Sequence, residues 1–373
     1  MYKVLHIFSG YGGGISSLIL NLIENSSADF HFDLMAFAYE NADVFLNRVK
    51  EKNCEVFTMP RPKKKGFIAF ERYINRVINQ GSYDAVHCHI TGWEGLFFSV
   101  ACKRHGVKNY IIHSHYSLTS SALDRTTLVH KINQYINYKT SNAYMTCSDL
   151  AADYVFGERY LKNRKAILIP NGIKSELYNY KITEEDILNY RKEFQLENNQ
   201  RIIGHVGRFN SIKNHEFIIE LAEKIKSDDY VFLLVGSGER LAFIQKMISD
   251  KNLEKRVRII GRRNDIEKLM QFFDIVLLPS FREGLPTVAV ECQAAGTPIV
   301  ITDTITKQCD MHLGLVKFLS LDNVNGWIEE IKKEHKKIDI DKALSQIVDM
   351  GFTAETAGRI YCNELRRLIS ISK

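Results

Sequence analysis

The sequence predicts an α/β protein made of two doubly wound domains that face each other across a central cleft, and three observations predict it. Short apolar runs alternate with helix-length amphipathic stretches. The runs of the second half repeat the rhythm of the first, and 373 residues suffice for two domains with a core each. Hydrophobic content of 45% and charged content of 25% are those of an ordinary soluble protein. No apolar run approaches the roughly 18 residues needed to span a bilayer. The opening run Y-K-V-L-H-I-F is too short for a secretory signal and lacks a cleavage site, so a cytoplasmic location is the default expectation. Seven cysteines, an odd number with no C-x-x-C pair, read as reduced thiols. The net charge of +6 favours weak attraction to anionic partners such as nucleotides or lipid headgroups. Nucleic acid is set aside, since no recognition motif accompanies the charge.

In chain order, the first half places strands at residues 2–8, 32–38, 54–59, 84–89, 108–115, 143–147 and 166–170. Gly12, Gly13 and Gly14 follow the first strand and lead into a helix with Ser16 and Ser17 in its opening turn. Such a loop lets backbone N–H groups approach a ligand, and a purely structural turn is the even alternative. It is neither G-x-G-x-x-G nor a Walker sequence, which gives dinucleotide or ATP binding little support. Residues 61–76 interleave Arg61, Lys63, Lys64, Lys65, Arg72 and Arg76 with Phe67, Ile68, Phe70, Tyr73 and Ile74. That mixture suits a helix on an anionic membrane surface, and equally an amphipathic helix whose apolar face joins the core. His87 and His89 end one strand and His113 and His115 another. Cys88 points to the opposite side of its strand, no compact closed ligand set is expected, and no metal is assigned. A neutral imidazole there suits a sugar hydroxyl or developing charge, against the commoner alternative of a core histidine bonded to backbone.

The boundary falls near Gly172, giving domains at 1–172 and 173–352, with helical segments from about Ile338 closing the chain. The second half places strands at R-I-I-G-H-V-G, Y-V-F-L-L-V-G, R-V-R-I-I-G, D-I-V-L-L-P and T-P-I-V-I-T. Arg208 lies just past the first of these, and Lys213 at the start of the next helix. A guanidinium and an ammonium on one strand-to-helix loop would neutralise a diphosphate, where solvated basic residues are the plain alternative. Gly236 and Gly238 form another strand-end turn, a weak signal. In P-S-F-R-E-G-L-P-T-V-A-V-E a strand ends at Pro279, a loop holds Glu283 and Gly284, and a helix entered through Pro286 carries Glu291. Two acids at a strand-to-helix junction oppose bare anion binding but accept hydrogen bonds from the hydroxyls of a sugar or ribose. Two solvated surface glutamates are the alternative for the spacing alone. Asp339 and Asp341, a D-x-D in a basic late segment, read as solvated.

Taken together, G-G-G-I-S-S-L-I-L-N-L, Y-D-A-V-H-C-H, I-I-H-S-H, I-P-N-G-I, G-H-V-G-R-F-N-S-I-K-N-H and P-S-F-R-E-G-L-P-T-V-A-V-E-C-Q-A-A-G resemble a family 4 glycosyltransferase over nearly the whole chain, within its exopolysaccharide and capsular polysaccharide branch. The resemblance implies a GT-B fold of two Rossmann-like domains, the first for acceptor and the second for nucleotide sugar, with a C-terminal helix at 353–373 returning onto the first. It implies a retaining, metal-independent hexosyltransferase without a cofactor, using a UDP-sugar and a lipid-linked saccharide, while the membrane reading of residues 61–76 would make it peripheral at the inner face of the cell membrane. Arg208 and Lys213 match the pair on the donor diphosphate, Glu291 the acid on the ribose, and Glu283 the acid near the sugar hydroxyls. Gly13, Gly14, Gly236, Gly238, Gly284, Leu285 and Pro286 complete the implied donor site. His115 matches the histidine near the transferred sugar, with His113 as second choice. Gly14, Ser16, His113 and His115 make up the implied acceptor side. Relatives commonly carry an acid where Ser16 stands, which bears on the acceptor. A non-catalytic GT-B partner subunit and a sugar-nucleotide epimerase are the competing readings.

Overall fold

The computed structural model describes residues 1–11, 14–38, 42–116 and 127–372. These divide into two compact units, Met1–Gly172 with Gly351–Lys373, and Ile173–Met350.

In the first unit β1 (Tyr2–Phe8), β2 (Phe30–Ala36), β3 (Val56–Thr58), β4 (Ala85–Cys88), β5 (Asn109–Ser114), β6 (Ala143–Thr146) and β7 (Ile167–Leu168) form a parallel sheet in the order β3-β2-β1-β4-β5-β6-β7. Parallel strands need crossover helices, which cover both faces, so the central strands are buried and mostly apolar, with His6, His87 and His113 among the polar exceptions. Along β1, Val4 and Phe8 enter one core while Leu5 and Ile7 enter the other. The second strand starts two residues before its predicted position, because Tyr2 pairs with Phe30 at the head of β1. The first core is closed by the helix Gly14–Glu24 and by the last helix, Ala354–Ser372, which buries Ala357, Tyr361, Leu365 and Ile369 there.

In the second unit β8 (Arg201–Val206), β9 (Tyr230–Val235), β10 (Val257–Gly261), β11 (Ile275–Leu278), β12 (Ile299–Thr302) and β13 (Val316–Leu319) form a parallel sheet in the order β10-β9-β8-β11-β12-β13. The edge strand β13 goes beyond the strands read from sequence. Its four residues are mostly half-buried and offer no apolar run.

Each sheet reverses its winding once, between β1 and β4 in the first and between β8 and β11 in the second. Loops leaving such neighbours diverge to opposite faces and open a crevice at the C-terminal strand ends, where ligands of open α/β sheets bind. The reading of the cysteines as reduced thiols agrees with the side chains: all seven are free and buried. Among the described residues no helix is long and apolar enough to cross a membrane.

Candidate active site

At the switch point of the second sheet, two loops are tied together. Asn210 Oδ1 accepts from the backbone N–H groups of Ile212 and Lys213 (3.0 and 3.1 Å), folding the loop after β8 back on itself. Phe281 N–H donates to Ile212 O (2.9 Å) and Asn214 Nδ2 to Pro279 O (3.2 Å), which fixes that loop against the one after β11. The following helix begins at His215 with Asn214 as its cap, so Lys213 stands in the loop just before it rather than in its first turn.

This tie places Lys213 Nζ 2.7 Å from Glu283 Oε1, with both side chains 16% exposed. The sequence reading gave these two separate partners on a ligand; the structure pairs them with each other. Glu291 lies on the helix Thr287–Ala294, which enters after the buried Gly284, Leu285 and Pro286. Burial pushes its carboxyl up to about 7; the Lys213 cation works against that shift and the Glu267 carboxylate adds to it. Burial, and after it the Glu291 carboxylate, pushes the Tyr178 phenol well above its ordinary value.

Arg208 stands apart from that pair: its Nε meets Glu239 Oε2 at 3.2 Å, and both side chains are 59% exposed. Glu239, which sequence reasoning passed over, therefore holds the guanidinium at the edge of the loop. Gly236 and Gly238 have a structural duty, since a Cβ at either would fall 2.0 Å from Gly207 O or 2.3 Å from Phe209 O. The two loops can lie backbone to backbone only because those side chains are missing. Beneath them His205 Nε2, both ring nitrogens of His215 and Ser280 Oγ are buried with no hydrogen-bond partner among the described residues. Burial keeps both imidazoles neutral, His205 at about 4 and His215 at about 2. A buried polar group without a partner is costly, so these unsatisfied atoms under the loop call for ordered water or another polar partner. Sequence reasoning quoted His205, His215 and Ser280 within motifs without giving any of them a role, since burial is not visible in the motif itself.

The first unit carries the histidines. His6 on β1 pairs in register with His87 on β4 across the switch point. His6, His87, His89 and His113 are buried and His115 is half-buried. The ring nitrogens of His6, His87 and His89 lie within 4.8 Å of one another, as do those of His89, His113 and His115. This corrects the expectation that the strand-end histidines form no compact set. His6 escaped notice because its partners are brought to it by strand register alone. The nitrogens are already spent on mutual hydrogen bonds, among them His87 Nε2 to His113 Nδ1 (3.1 Å) and His89 Nδ1 to His115 Nε2 (2.6 Å). His113 is wholly buried within the stack, which removes it as an acceptor contact, while His115 keeps an open edge. Gly14 is exposed at the head of its helix, Ser16 is 2% exposed, and Gly12 and Gly13 lie outside the described residues.

Two Rossmann-like parallel sheets in one chain, each with its own switch point, are the architecture of the GT-B class. Residues 12–177 match the sequence profile of Glycosyltransferase Family 4, and residues 186–337 that of Glycosyl transferases group 1. EpsF of Bacillus subtilis (strain 168), assigned to the glycosyltransferases, is 30% identical over 342 residues, covering 89% of this chain and 87% of its own. The Escherichia coli UDP-Gal:alpha-D-GlcNAc-diphosphoundecaprenol alpha-1,3-galactosyltransferase is 26% identical over 263 residues, covering 69% of this chain and 67% of its own. In fold, the crystal structure of Anabaena Alr3699/HepE in complex with UDP and glucose matches 98% of this chain and 100% of its own with a TM-score of 0.76 at 19% identity. The chain belongs to the family 4 glycosyltransferases.

Proposed function

We propose that this glycosyltransferase moves a hexose or N-acetylhexosamine from a UDP-sugar to a hydroxyl of a lipid-linked saccharide in surface polysaccharide synthesis, with retention of anomeric configuration and without a metal. The observation that carries the reading is the Lys213–Glu283 pair at the switch point, backed by Glu291 and by the unsatisfied His205, His215 and Ser280. As the glycosidic C–O bond lengthens, negative charge gathers on the departing diphosphate. Lys213 and Arg208 then gain interaction strength in the transition state, which is the condition for rate acceleration. Glu283, held by Lys213, accepts hydrogen bonds from the sugar hydroxyls, and Glu291 accepts them from the ribose. Departing phosphate takes the acceptor proton, so no carboxylate nucleophile of the glycosidase kind is required. On the family pattern His115 of the first unit stands by the transferred sugar.

The acceptor class is supported by the Escherichia coli relative, whose name specifies a diphosphoundecaprenol-linked sugar. It is supported also by the surface of residues 61–76. The helix Phe67–Gly81 buries Phe70, Ile74, Val77 and Ile78, satisfying the core-packing alternative, yet leaves Phe67 62% and Ile68 75% exposed beside Lys63, Lys64 and Lys65. Phe67, Trp93, Phe97 and Arg61 line a cavity of about 480 Å³ there. Apolar tips ringed by cations suit an anionic membrane surface. Thermal stabilisation by a panel of nucleotide sugars, followed by product mass with a lipid-linked acceptor, tests the reading. Stabilisation by UDP-sugars and a product heavier by one hexosyl or N-acetylhexosaminyl unit are expected. A purified, folded chain that transfers from none of them would overturn it.

A further inference from the structure

The histidine stack is a single unbranched hydrogen-bonded chain of six groups. His113 Nδ1 lies 3.1 Å from His87 Nε2, and His87 Nδ1 lies 2.8 Å from the Tyr361 hydroxyl. That hydroxyl lies 3.2 Å from His6 Nε2, and His6 Nδ1 lies 3.1 Å from His89 Nε2. His89 Nδ1 then reaches His115 Nε2 at 2.6 Å. Every ring nitrogen is used once except the two at the ends, His113 Nε2 and His115 Nδ1. Burial holds all five imidazoles well below their ordinary range, His6 and His115 at about 3, so each is neutral near pH 7. A neutral imidazole owns one N–H and one bare nitrogen.

Those counts leave few arrangements. Each of the five links needs one hydrogen, and each of the six groups brings one. If the hydrogens point from His113 toward His115, His113 Nε2 is bare and His115 Nδ1 carries the N–H. If they point the other way, His113 carries its N–H on Nε2, which is buried with no acceptor among the described residues. If both neighbours donate to Tyr361, its O–H is stranded in the core instead. An orphaned buried donor is rarer and costlier than an under-satisfied acceptor. The first arrangement strands only a bare nitrogen.

We infer that this chain runs from His113 to His115 and holds His115 as the neutral Nδ1–H tautomer, so that its open edge is a hydrogen-bond donor. His6, His87, His89 and Tyr361 are then positioning residues, acting through His115. A donor there engages an oxygen of the substrate, whether a sugar hydroxyl or one gathering negative charge, and does not accept the proton of an attacking hydroxyl. This functional consequence rests on the placement of His115 by the sugar; the tautomer does not.

The test is the imidazole nitrogen spectrum of protein labelled with ¹⁵N-histidine, with His115 assigned by its disappearance in His115→Gln. The wild type should show His115 with Nδ1 protonated and Nε2 bare. Tyr361→Phe removes the central hydroxyl with little change of shape, and should turn His115 into a mixture of both tautomers. It should also lower kcat about tenfold, the scale of one hydrogen bond, with KM for the nucleotide sugar unchanged. His115 protonated on Nε2 in the wild type overturns the inference, as does a single unchanged tautomer in folded Tyr361→Phe. Should Tyr361→Phe fail to fold, the wild-type spectrum alone decides. A protein inactive with every donor would count against the enzymatic reading and leave the spectrum to decide this one.

Discussion

At the scale of single residues, the Lys213–Glu283 contact is the feature of the proposed donor site that a substitution probes most directly. Two side chains at 16% exposure and 2.7 Å gain more than a surface pair, and removing one leaves the other charge partly buried and unpaired. On the proposed reading, in which the cation acts on the leaving diphosphate, Lys213→Ala should lower kcat on the order of a hundredfold or more. Near wild-type turnover by the folded variant would remove Lys213 from that role. Glu291 titrates oppositely to an ordinary paired carboxylate. Its carboxyl holds its proton up to about 7 when folded against 4.5 ordinarily, because burial penalises the charge. The folded state thus binds more protons than the unfolded state between those values, and stability falls as pH rises from 4.5 to about 7. The contribution lost is about 3 kcal/mol. Glu291→Gln removes it, so the difference in unfolding free energy between variant and wild type should grow in the variant's favour across that window. A difference that stays flat with pH would show that Glu291 is not held protonated.

At the scale of elements, legibility followed from how far apart in sequence the cause lies. The strands of both sheets were readable because parallel strands covered on both faces must be continuous apolar runs, whereas β13, at an edge and half-buried, carries no such run. Lys213, Glu283 and Glu291 were readable because local order, strand then loop then helix, puts them at one kind of place. The Lys213–Glu283 bond was not, since it depends on a neighbouring of β8 and β11 that a separation of 70 positions between the two residues conceals. His6 and Tyr361 were invisible for the same reason, 355 positions apart and meeting at 3.2 Å. The segment 61–76 shows an element serving two ends: the inner face of its helix is spent on the core, and what is left outside is Phe67, Ile68 and the lysines before them. Replacing Lys63, Lys64 and Lys65 by Glu should leave stability within about 0.5 kcal/mol, as for surface changes generally. It should sharply reduce cosedimentation with vesicles containing anionic lipid, each lysine near such a surface being worth about 1 kcal/mol. Unchanged cosedimentation would end the membrane assignment of this face.

At the scale of the whole molecule, the chain leaves its first unit at Gly172 and comes back to it at Gly351. The two passages touch: a Cβ at Gly172 would fall 2.2 Å from Thr353 O, so only glycine lets the departing and returning backbones lie so close. The returning helix is structural in the strict sense, because Ala357, Tyr361, Cys362, Leu365 and Ile369 are part of the first unit's core. Arg366 secures it further, its Nε and Nη2 each 2.8 Å from an Asp29 carboxylate oxygen. Burial of each large apolar side chain is worth about 1.5–3 kcal/mol, and a domain's whole stability is only about 5–15 kcal/mol. Ending the chain after Met350 should consequently unfold the first unit while the second, with its own core around Phe217, Phe232 and Trp327, remains folded. Calorimetry and limited proteolysis check this: the truncated protein should lose one cooperative transition and yield a protected fragment from near Ile173 onward. Retention of both transitions would mean that the helix is dispensable to the first unit's core.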